Sequence, residues 1–117
     1  MRNASLLVDG RRLAPLLVTV SSWDRLRGML GRKPLPPAML LRPCTSVHGA
    51  WMRDPLDVAL LDRDGRVLHT HLLRPWGMSP PRRGTVSVLE APAGSFERWG
   101  LNVGAHVEVA GASEVTA

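Results

Sequence analysis

The sequence predicts a mainly β fold, a small sandwich or barrel of seven to eight short strands with one or two short helices. Short apolar runs alternate with turn-forming residues along nearly the whole chain. Two of the turns contain an Asp-Gly pair, at Asp9-Gly10 and Asp64-Gly65. Asp-Gly favours β-hairpins because both central positions of a tight hairpin turn require a positive φ. Many short strands with frequent turns are typical of sandwiches and barrels.

The first predicted element is a hairpin. Its arms are the apolar residues 6–8 and 13–20, and Asp9-Gly10 forms its turn. Pro15 lies inside the second arm. Because proline has no N–H to donate to a neighbouring strand, it indicates either an edge position or a strand that begins after it.

A short helix is predicted next. Ser21 and Asp24 form a Ser-x-x-Asp capping pattern, which stabilises the start of a helix by giving its free N–H groups acceptors. The helix is expected to run to about Leu30, and Gly31 is a natural stop. Its apolar residues form a stripe at helical spacing: Trp23, Leu26, Met29 and Leu30.

The remaining strands are predicted at residues 38–41, 47–52, 57–61, 66–73, 85–90 and 106–110. The arm 57–61 is almost continuously apolar, as in a strand buried on both faces. Residues 74–84 are rich in proline and form an irregular loop. A turn or single helical turn at residues 92–100 carries Phe96 and Trp99. Residues 1–117 form one domain, with a tail at 112–117 that is expected to fray.

Composition indicates a globular protein that needs no disulfide. The chain has 117 residues, 44% of them hydrophobic and 21% charged, which is ordinary for a single globular domain. Its single cysteine, Cys44, cannot form an internal disulfide, which fits a reducing compartment. No stretch approaches the ~20 apolar residues that span a bilayer. We therefore expect a cytoplasmic protein without membrane insertion.

The basic charge does not by itself indicate a nucleic-acid partner. The net charge is +5, but the basic residues are spread along the chain from Arg2 to Arg98. No aromatic residues are interleaved with the denser groups, as a single-strand-binding surface requires. We expect a solvated basic surface and no nucleic-acid partner.

A series of landmarks is more specific than the strand pattern. In order they are RLRGMLGR at residues 25–32, MLL at 39–41, His48, WMR at 51–53, PLD at 55–57, Asp64-Gly65, RPW at 74–76, VLE at 88–90, Ala93-Gly94 and GLNVG at 100–104. Over residues 19–109 they resemble the family called domain of unknown function 192. The resemblance implies a compact, jelly-roll-like β fold with no established activity. The chain departs from the family pattern at Gly49-Ala50, where bulkier residues are usual, and at Ala105, where an acidic residue is usual.

Residues 44–57 carry the densest set of chemically useful side chains. These side chains are the residue types from which a soft metal site or a thiol–imidazole pair could be made, namely Cys44, His48, Met52 and Asp57. A copper-type site would need a second histidine, and His69 and His71 are the available donors. Free cysteine and methionine are also common core residues, and we favour that role. The four potential ligands, Cys44, His48, His69 and His71, are therefore weak candidates, and no metal or cofactor is predicted.

Asp57 is the most informative carboxylate in this stretch. It precedes an apolar strand, so we expect it to be partly enclosed and in need of a partner. Arg25 and Arg53 are the candidates for a bidentate ion pair. We favour a structural ion pair that joins helix and sheet over a carboxylate at a pocket mouth. Glu90 ends a later strand and could cap the following turn or face the same cavity as Asp57.

These residues favour a non-catalytic module that binds a small ligand or a protein segment. The candidate cleft residues are His48, Trp51, Met52, Asp57, Trp76 and Glu90. One alternative is a metal- or thiol-dependent enzyme that uses Cys44 and His48, which we favour less. Another is a protein–protein adaptor that uses the 74–84 loop. The sequence contains no serine-hydrolase, phosphate-binding or dinucleotide motif.

Overall fold

The mainly β class is confirmed by the computed structural model, which describes residues 1–111. The strands and helices of this part are β1 (Arg2–Val8), β2 (Arg11–Val18), α1 (Ser22–Arg27), β3 (Met39–Leu41), β4 (Leu56–Leu61), β5 (Val67–Leu73), β6 (Ser87–Pro92), α2 (Ser95–Trp99) and β7 (Val107–Gly111). Neither helix in this range has the length and apolarity needed to cross a membrane. The predicted fraying of residues 112–117 lies outside the described residues.

The seven strands form one sheet in the order β5-β4-β6-β3-β2-β1-β7. β2 and β3 are parallel, whereas the other neighbours pair antiparallel. The two edge strands approach each other where they begin. There the Val67 N–H donates to the Ala105 carbonyl at 2.9 Å, and the Gly104 N–H donates to the Val67 carbonyl at 2.8 Å. The sheet therefore curls until its edges meet at one end, and the finer jelly-roll arrangement stays a prediction.

Both hairpins have the turns that the sequence predicts. Asp9 and Gly10 adopt φ of 50° and 81° between β1 and β2. Between β4 and β5, Asp62 Oδ1 accepts the N–H groups of Asp64 at 2.8 Å and Arg66 at 2.9 Å. The side chain of Asp62 thus fixes the second turn, as short acidic residues commonly do.

Pro15 lies inside β2, which begins at Arg11, and β2 lies between β1 and β3 instead of at an edge. The explanation is the shortness of β3, which pairs only with Leu17 and Val18. The Leu17 N–H points to that side and donates to the Ala38 carbonyl. Pro15, two residues earlier, faces the same side beyond the start of β3. No hydrogen bond between strands is lost at the proline.

The predicted capping box of α1 is present, but the helix is shorter than predicted. The Asp24 N–H donates to Ser21 Oγ at 3.1 Å, and the Ser21 N–H donates to Asp24 Oδ2 at 3.2 Å. The helix ends at Arg27 because Gly28 leaves the helical conformation, with φ of 51° and ψ of −127°. The predicted extension to Leu30 is therefore wrong.

The shorter helix changes the environment of its apolar stripe. Trp23 and Leu26 are 67% and 65% exposed, whereas Met29, beyond the helix, is 2% exposed. Because the chain changes direction at Gly28, residues on either side of it do not share a helix face. The stripe therefore divides into an exposed pair on α1 and a buried methionine in the following turn.

Each face of the sheet is covered by its own apolar cluster. The first core includes Leu6, Leu16, Leu40, Leu61, Leu89 and Phe96. The second core includes Met29, Met39, Leu41, Val58, Leu60 and Val88. Helix α2, within the turn predicted at residues 92–100, contributes Phe96 to the first core. The second core is covered by non-helical segments around Met29 and Val47.

The predicted strand at residues 47–52 is wrong. His48 makes only an isolated bridge with Met78. The Gly49 N–H donates to the Gly77 carbonyl, and the Trp76 N–H donates to the Gly49 carbonyl, both at 2.7 Å. Residues 47–52 therefore form a loop that lies against the predicted 74–84 loop. A Cβ added at Gly49 would lie 2.4 Å from the Arg74 carbonyl oxygen, which explains a small residue at this position.

Candidate functional site

Asp57 fastens helix α2 to the sheet. Its Oδ2 accepts the Phe96 N–H at 3.0 Å, in the first turn of α2, where the N-cap residue is Gly94 and supplies no side-chain acceptor. The predicted ion pair is not formed, since neither Arg25 nor Arg53 is among the salt-bridge partners found in residues 1–111. A carboxylate from β4 instead provides the cap that the helix sequence lacks.

Glu90 lies on the opposite face of the same sheet. Residues directly paired across strands share a face, and Glu90 pairs with Met39 and Val58, both in the second core. Asp57 pairs with Ala91, which belongs to the first core. The two carboxyl groups therefore do not face one cavity.

The carboxyl group of Glu90 is enclosed, and one of its oxygen atoms has no hydrogen-bond partner within residues 1–111. The residue is 3% exposed, and its Oε1 atom has no partner in the described part of the chain. Burial among apolar neighbours disfavours the charged form and raises the pKa of Glu90 from 4.5 to about 7. The group can therefore change its protonation state near neutral pH.

The turn after α1 lies directly on this carboxyl group. A Cβ added to Gly28 would lie 3.1 Å from Glu90 Oε1. The Gly28 N–H donates to the Asp24 carbonyl at 2.9 Å, so it does not donate a hydrogen bond to Glu90. Glycine is required here both by the positive φ and by the close approach.

Glu90 borders a cavity of about 310 Å³. Its walls come from α1 and the following turn, the end of β3 and the segment 43–50. Residues from these segments that line it include Arg25, Met29, Leu41, Cys44, Val47 and His48. The cavity therefore combines an apolar wall with a buried acid and a basic side chain.

Cys44 and His48 line this cavity but do not form a thiol–imidazole pair. The Cys44 thiol donates to the Ser46 carbonyl at 3.2 Å, and burial raises the pKa of the thiol. His48 is exposed, and its Nδ1 accepts the Ala50 N–H at 3.2 Å. No hydrogen bond joins the two side chains in residues 1–111, so the arrangement does not activate the thiol.

The other metal-ligand candidates lie elsewhere. His69 and His71 are neighbours on β5, with ring centroids 6.3 Å apart, and neither lines the cavity of Cys44 and His48. Burial and the charge of Arg82, whose guanidinium lies 3.0 Å from His69 Nδ1, lower the pKa of His69. The described residues contain no cluster of three or more His, Cys, Asp or Glu suited to a metal ion.

Trp51 and Trp76 form an exposed aromatic pair beside the cavity. They are 72% and 64% exposed, and their ring centroids lie 4.8 Å apart. Both adopt a positive φ, 65° and 66°, which is unusual for bulky residues. Ala50 lines the cavity whereas the two tryptophans do not, and Met52 packs against the second core. Of the predicted cleft residues, the structure thus brings His48 and Glu90 together.

A larger cleft of about 1080 Å³ lies between the edge strand β7 and the second hairpin turn. It is bordered by Gly111, next to the residues outside the described range, and none of its lining atoms is a buried polar group without a partner. We place the candidate site in the smaller cavity because an unpartnered buried acid is the rarer feature.

Comparison with known families agrees with the landmarks in the sequence. The profile of the DUF192 family, described as Uncharacterized ACR, matches residues 7–109. The chain belongs to the DUF192 family. It is 32% identical over 89 residues to a UPF0127 protein of Pyrococcus furiosus, covering 72% of this chain and 77% of that protein. A UPF0127 protein of Pyrococcus horikoshii is 30% identical over 78 residues, covering 62% and 68%.

Two crystal structures resemble the fold of this DUF192 protein. One, from Sinorhizobium meliloti, is described as a candidate transcription regulator; the TM-score is 0.80 at 22% identity, covering 92% of this chain and 93% of that chain. The other is a protein of unknown function from Novosphingobium aromaticivorans, with a TM-score of 0.71 at 23% identity, covering 91% and 83%. At these identities the likeness shows the fold alone.

The sequence of this DUF192 chain does not predict two features of the site. It predicts Gly28 inside the helix, whereas the role of Gly28 against Glu90 depends on how α1 lies on the sheet. It indicates Arg25 as a partner of Asp57, whereas Arg25 borders the cavity of Glu90. An acid at the centre of an otherwise apolar strand, residues 87–92, was the available signal for the Glu90 site.

Proposed function

We propose that this DUF192 protein is a non-catalytic module that binds a small ligand in the cavity of Glu90. The observation that carries the proposal is the buried Glu90 Oε1 atom without a partner. Leaving a buried polar group unsatisfied costs about 1–3 kcal/mol, and more when the group is charged. A ligand that donates a hydrogen bond to this atom would recover that free energy on binding.

The shape and lining of the cavity support a small organic ligand. Its volume of about 310 Å³ is at the lower end of ligand pockets. Met29, Leu41 and Val47 supply an apolar wall, and Glu90 and Arg25 supply polar groups at separate places. A largely apolar pocket with a few placed polar groups is the usual composition of a specific small-molecule site.

Ligand binding accounts for the states of Cys44 and His48 better than thiol catalysis does. A cysteine nucleophile requires a lowered pKa, whereas burial raises the pKa of Cys44. His48 is bonded to its own loop through Nδ1. Cys44 then serves as part of the pocket wall.

A second candidate function, contact with a protein segment through the 74–84 loop, is favoured by the exposed side chains there. Trp76 and Met78 are 64% and 69% exposed, and Trp51 packs on Trp76. Exposed aromatic residues beside a pocket are typical of recognition surfaces. Substitution of Trp76 separates this surface from the cavity.

A fragment screen followed by amide NMR tests the proposal. Fragments with a hydrogen-bond donor are expected to shift the amides of Gly28 and Cys44. The Glu90→Gln variant should weaken their binding by about tenfold or more, a loss that one buried charged hydrogen bond can supply. Asp57→Asn is the matched control, because it makes the same chemical change on the other face of the sheet.

Retention of full affinity by Glu90→Gln would refute the cavity as the site. Loss of the shifts in Trp76→Ala, with Glu90→Gln unaffected, would assign binding to the 74–84 loop instead.

A further inference from the structure

The charges around the cavity differ in depth. Glu90 is 3% exposed, whereas Arg25 is half-buried and Arg27 is exposed, and all three line the cavity. An acid therefore lies inside and basic side chains lie towards solvent. A ligand that enters meets the arginines before it reaches the carboxyl group.

On the basis of the binding function proposed above, we propose that the ligand is a small zwitterion with an ammonium group on Glu90 and an anionic group on Arg25. An α- or ω-amino acid belongs to this class. The inference depends on the placement of the two charged side chains in one small cavity.

The inner end of the cavity favours an ammonium group. Glu90 has no cationic partner within salt-bridge distance in the described chain, where the ion pairs are those of Asp24 and Glu108. An ionised buried carboxylate needs both hydrogen-bond donors and an opposite charge. An ammonium group supplies both, with three donors on a compact charge. A neutral amide or hydroxyl supplies a donor without the charge.

The outer end favours an anion. Within residues 1–111 the recorded side-chain hydrogen bond of Arg25 is from its NH2 nitrogen to Ser22 Oγ at 3.1 Å. A guanidinium has five N–H donors in a planar fork that matches a carboxylate. Arg25 therefore keeps donors for a ligand. An anion without an ammonium group would face the unpaired charge of Glu90.

The two charges are close enough for one small molecule to reach both. Glu90 and Arg25 line one cavity, and Gly28, three residues after Arg25, lies on Glu90, since a Cβ added to it would lie 3.1 Å from Glu90 Oε1. Cys44 also lines the same cavity of about 310 Å³. A short chain between the ammonium and the anionic group is therefore sufficient.

A matched series of probes tests the inference by NMR titration at pH 7.5. Glycine, 3-aminopropanoate, 4-aminobutanoate and 5-aminopentanoate vary the distance between the charges. Pentanoate lacks the ammonium group of 4-aminobutanoate at similar size, pentylamine lacks its carboxylate, and pentanamide is a neutral donor. We expect one zwitterion to bind about tenfold tighter than both singly charged analogues, since each lacks one charge-assisted bond.

Two variants assign the ends of the ligand. Glu90→Gln should remove the advantage of the zwitterion over pentanoate, and Arg25→Gln should remove its advantage over pentylamine. Arg53→Gln is the control, because this exposed arginine does not line the cavity. The wild-type series stands on its own if either variant fails to fold.

The outcomes separate this inference from the proposed function. Tighter binding of pentanamide than of any zwitterion, lost in Glu90→Gln, would refute the zwitterion and keep the binding site. Equal binding of the zwitterions and pentylamine would refute the role of Arg25 and with it the inference. Absence of shifts at Gly28 and Cys44 with every probe, and with a general fragment library, would refute both.

Discussion

Each face of the sheet carries one carboxyl group, half-buried at Asp57 and buried at Glu90, and the two groups differ in their hydrogen bonding. On the first face, Asp57 accepts a hydrogen bond from the Phe96 N–H and holds helix α2. On the second face, Glu90 Oε1 has no partner within residues 1–111. The residues are close neighbours across strands, since Asp57 pairs with Ala91. The difference therefore comes from what covers each face.

A helix start covers the first face at Asp57, whereas the turn after α1 covers the second face at Glu90. Helix α2 presents a free N–H to Asp57, as the first turn of any helix does. The turn that lies on Glu90 presents Gly28, whose N–H is already used by α1. A fold selected for stability alone would pair or replace such an acid. An unsatisfied acid beside a cavity is expected where binding outweighs stability.

The largest difference between the faces is expected in the pH dependence of stability. The pKa of Glu90 is about 7 in the folded protein, against its ordinary value of 4.5. The folded state therefore holds the proton more tightly than the unfolded state. Between these values stability falls as pH rises, by up to about 3 kcal/mol in total, and the full stability is present below pH 4.5. Glu90→Gln should be more stable than wild type by about this amount at pH 8 and equal to it near pH 4.5.

Urea denaturation of both proteins from pH 4.5 to 8.5 measures this effect. The difference between the two curves isolates Glu90 from the other titrating groups. Parallel curves would mean that the carboxyl group of Glu90 has its ordinary pKa in the folded protein.

The next largest effect is expected at the glycine over Glu90. Gly28→Ala places a side chain at a positive φ and 3.1 Å from Glu90 Oε1, which should destabilise the protein by about 2 kcal/mol. Gly100→Ala is the control, because Gly100 has a φ of 66° with no atom within 4 Å of the added Cβ. Its cost should be about 1 kcal/mol. If chemical denaturation shows equal losses of stability in Gly28→Ala and Gly100→Ala, the contact with Glu90 contributes nothing to the cost.

Local features of the fold were predictable from the sequence because they depend on residues a few positions apart. Asp9-Gly10 sets a turn through its own φ preferences, and Ser21 and Asp24 cap α1 through contacts three residues apart. The family that the landmarks indicate and the mainly β class that the turns indicate are both confirmed.

The partners of the carboxyl groups were not predictable in the same way. Asp57 and Phe96 are 39 positions apart, and their contact depends on where α2 lies on the sheet. The sequence predicts Arg25 near Asp57, whereas Arg25 borders the cavity of Glu90, on the other face of the sheet. Sequence spacing also gave residues 47–52 a strand pattern, whereas backbone bonds to the 74–84 loop define their conformation.

The smallest effect is expected at Asp57. With an arginine partner, removal of the carboxylate would leave a buried charge and cost about 3–5 kcal/mol. Because the partner is a backbone N–H at a helix start, Asp57→Ala should cost about 1 kcal/mol. Asp57→Asn keeps an acceptor oxygen and should cost a few tenths of a kcal/mol. The same denaturation experiment at pH 7 measures both variants.

Amide hydrogen exchange shows where the Asp57 variants lose stability. Exchange of the Phe96 amide should become faster in Asp57→Ala and stay near the wild-type rate in Asp57→Asn, because only the alanine leaves that N–H without an acceptor. The Ala59 amide, in the central part of β4, is the internal reference for global opening. A cost near 4 kcal/mol with an unchanged Phe96 rate would mean that Asp57 acts through a charged partner after all. The acid of the first face would then be paired with a cation, and the cap of helix α2 would no longer explain the difference between the two faces.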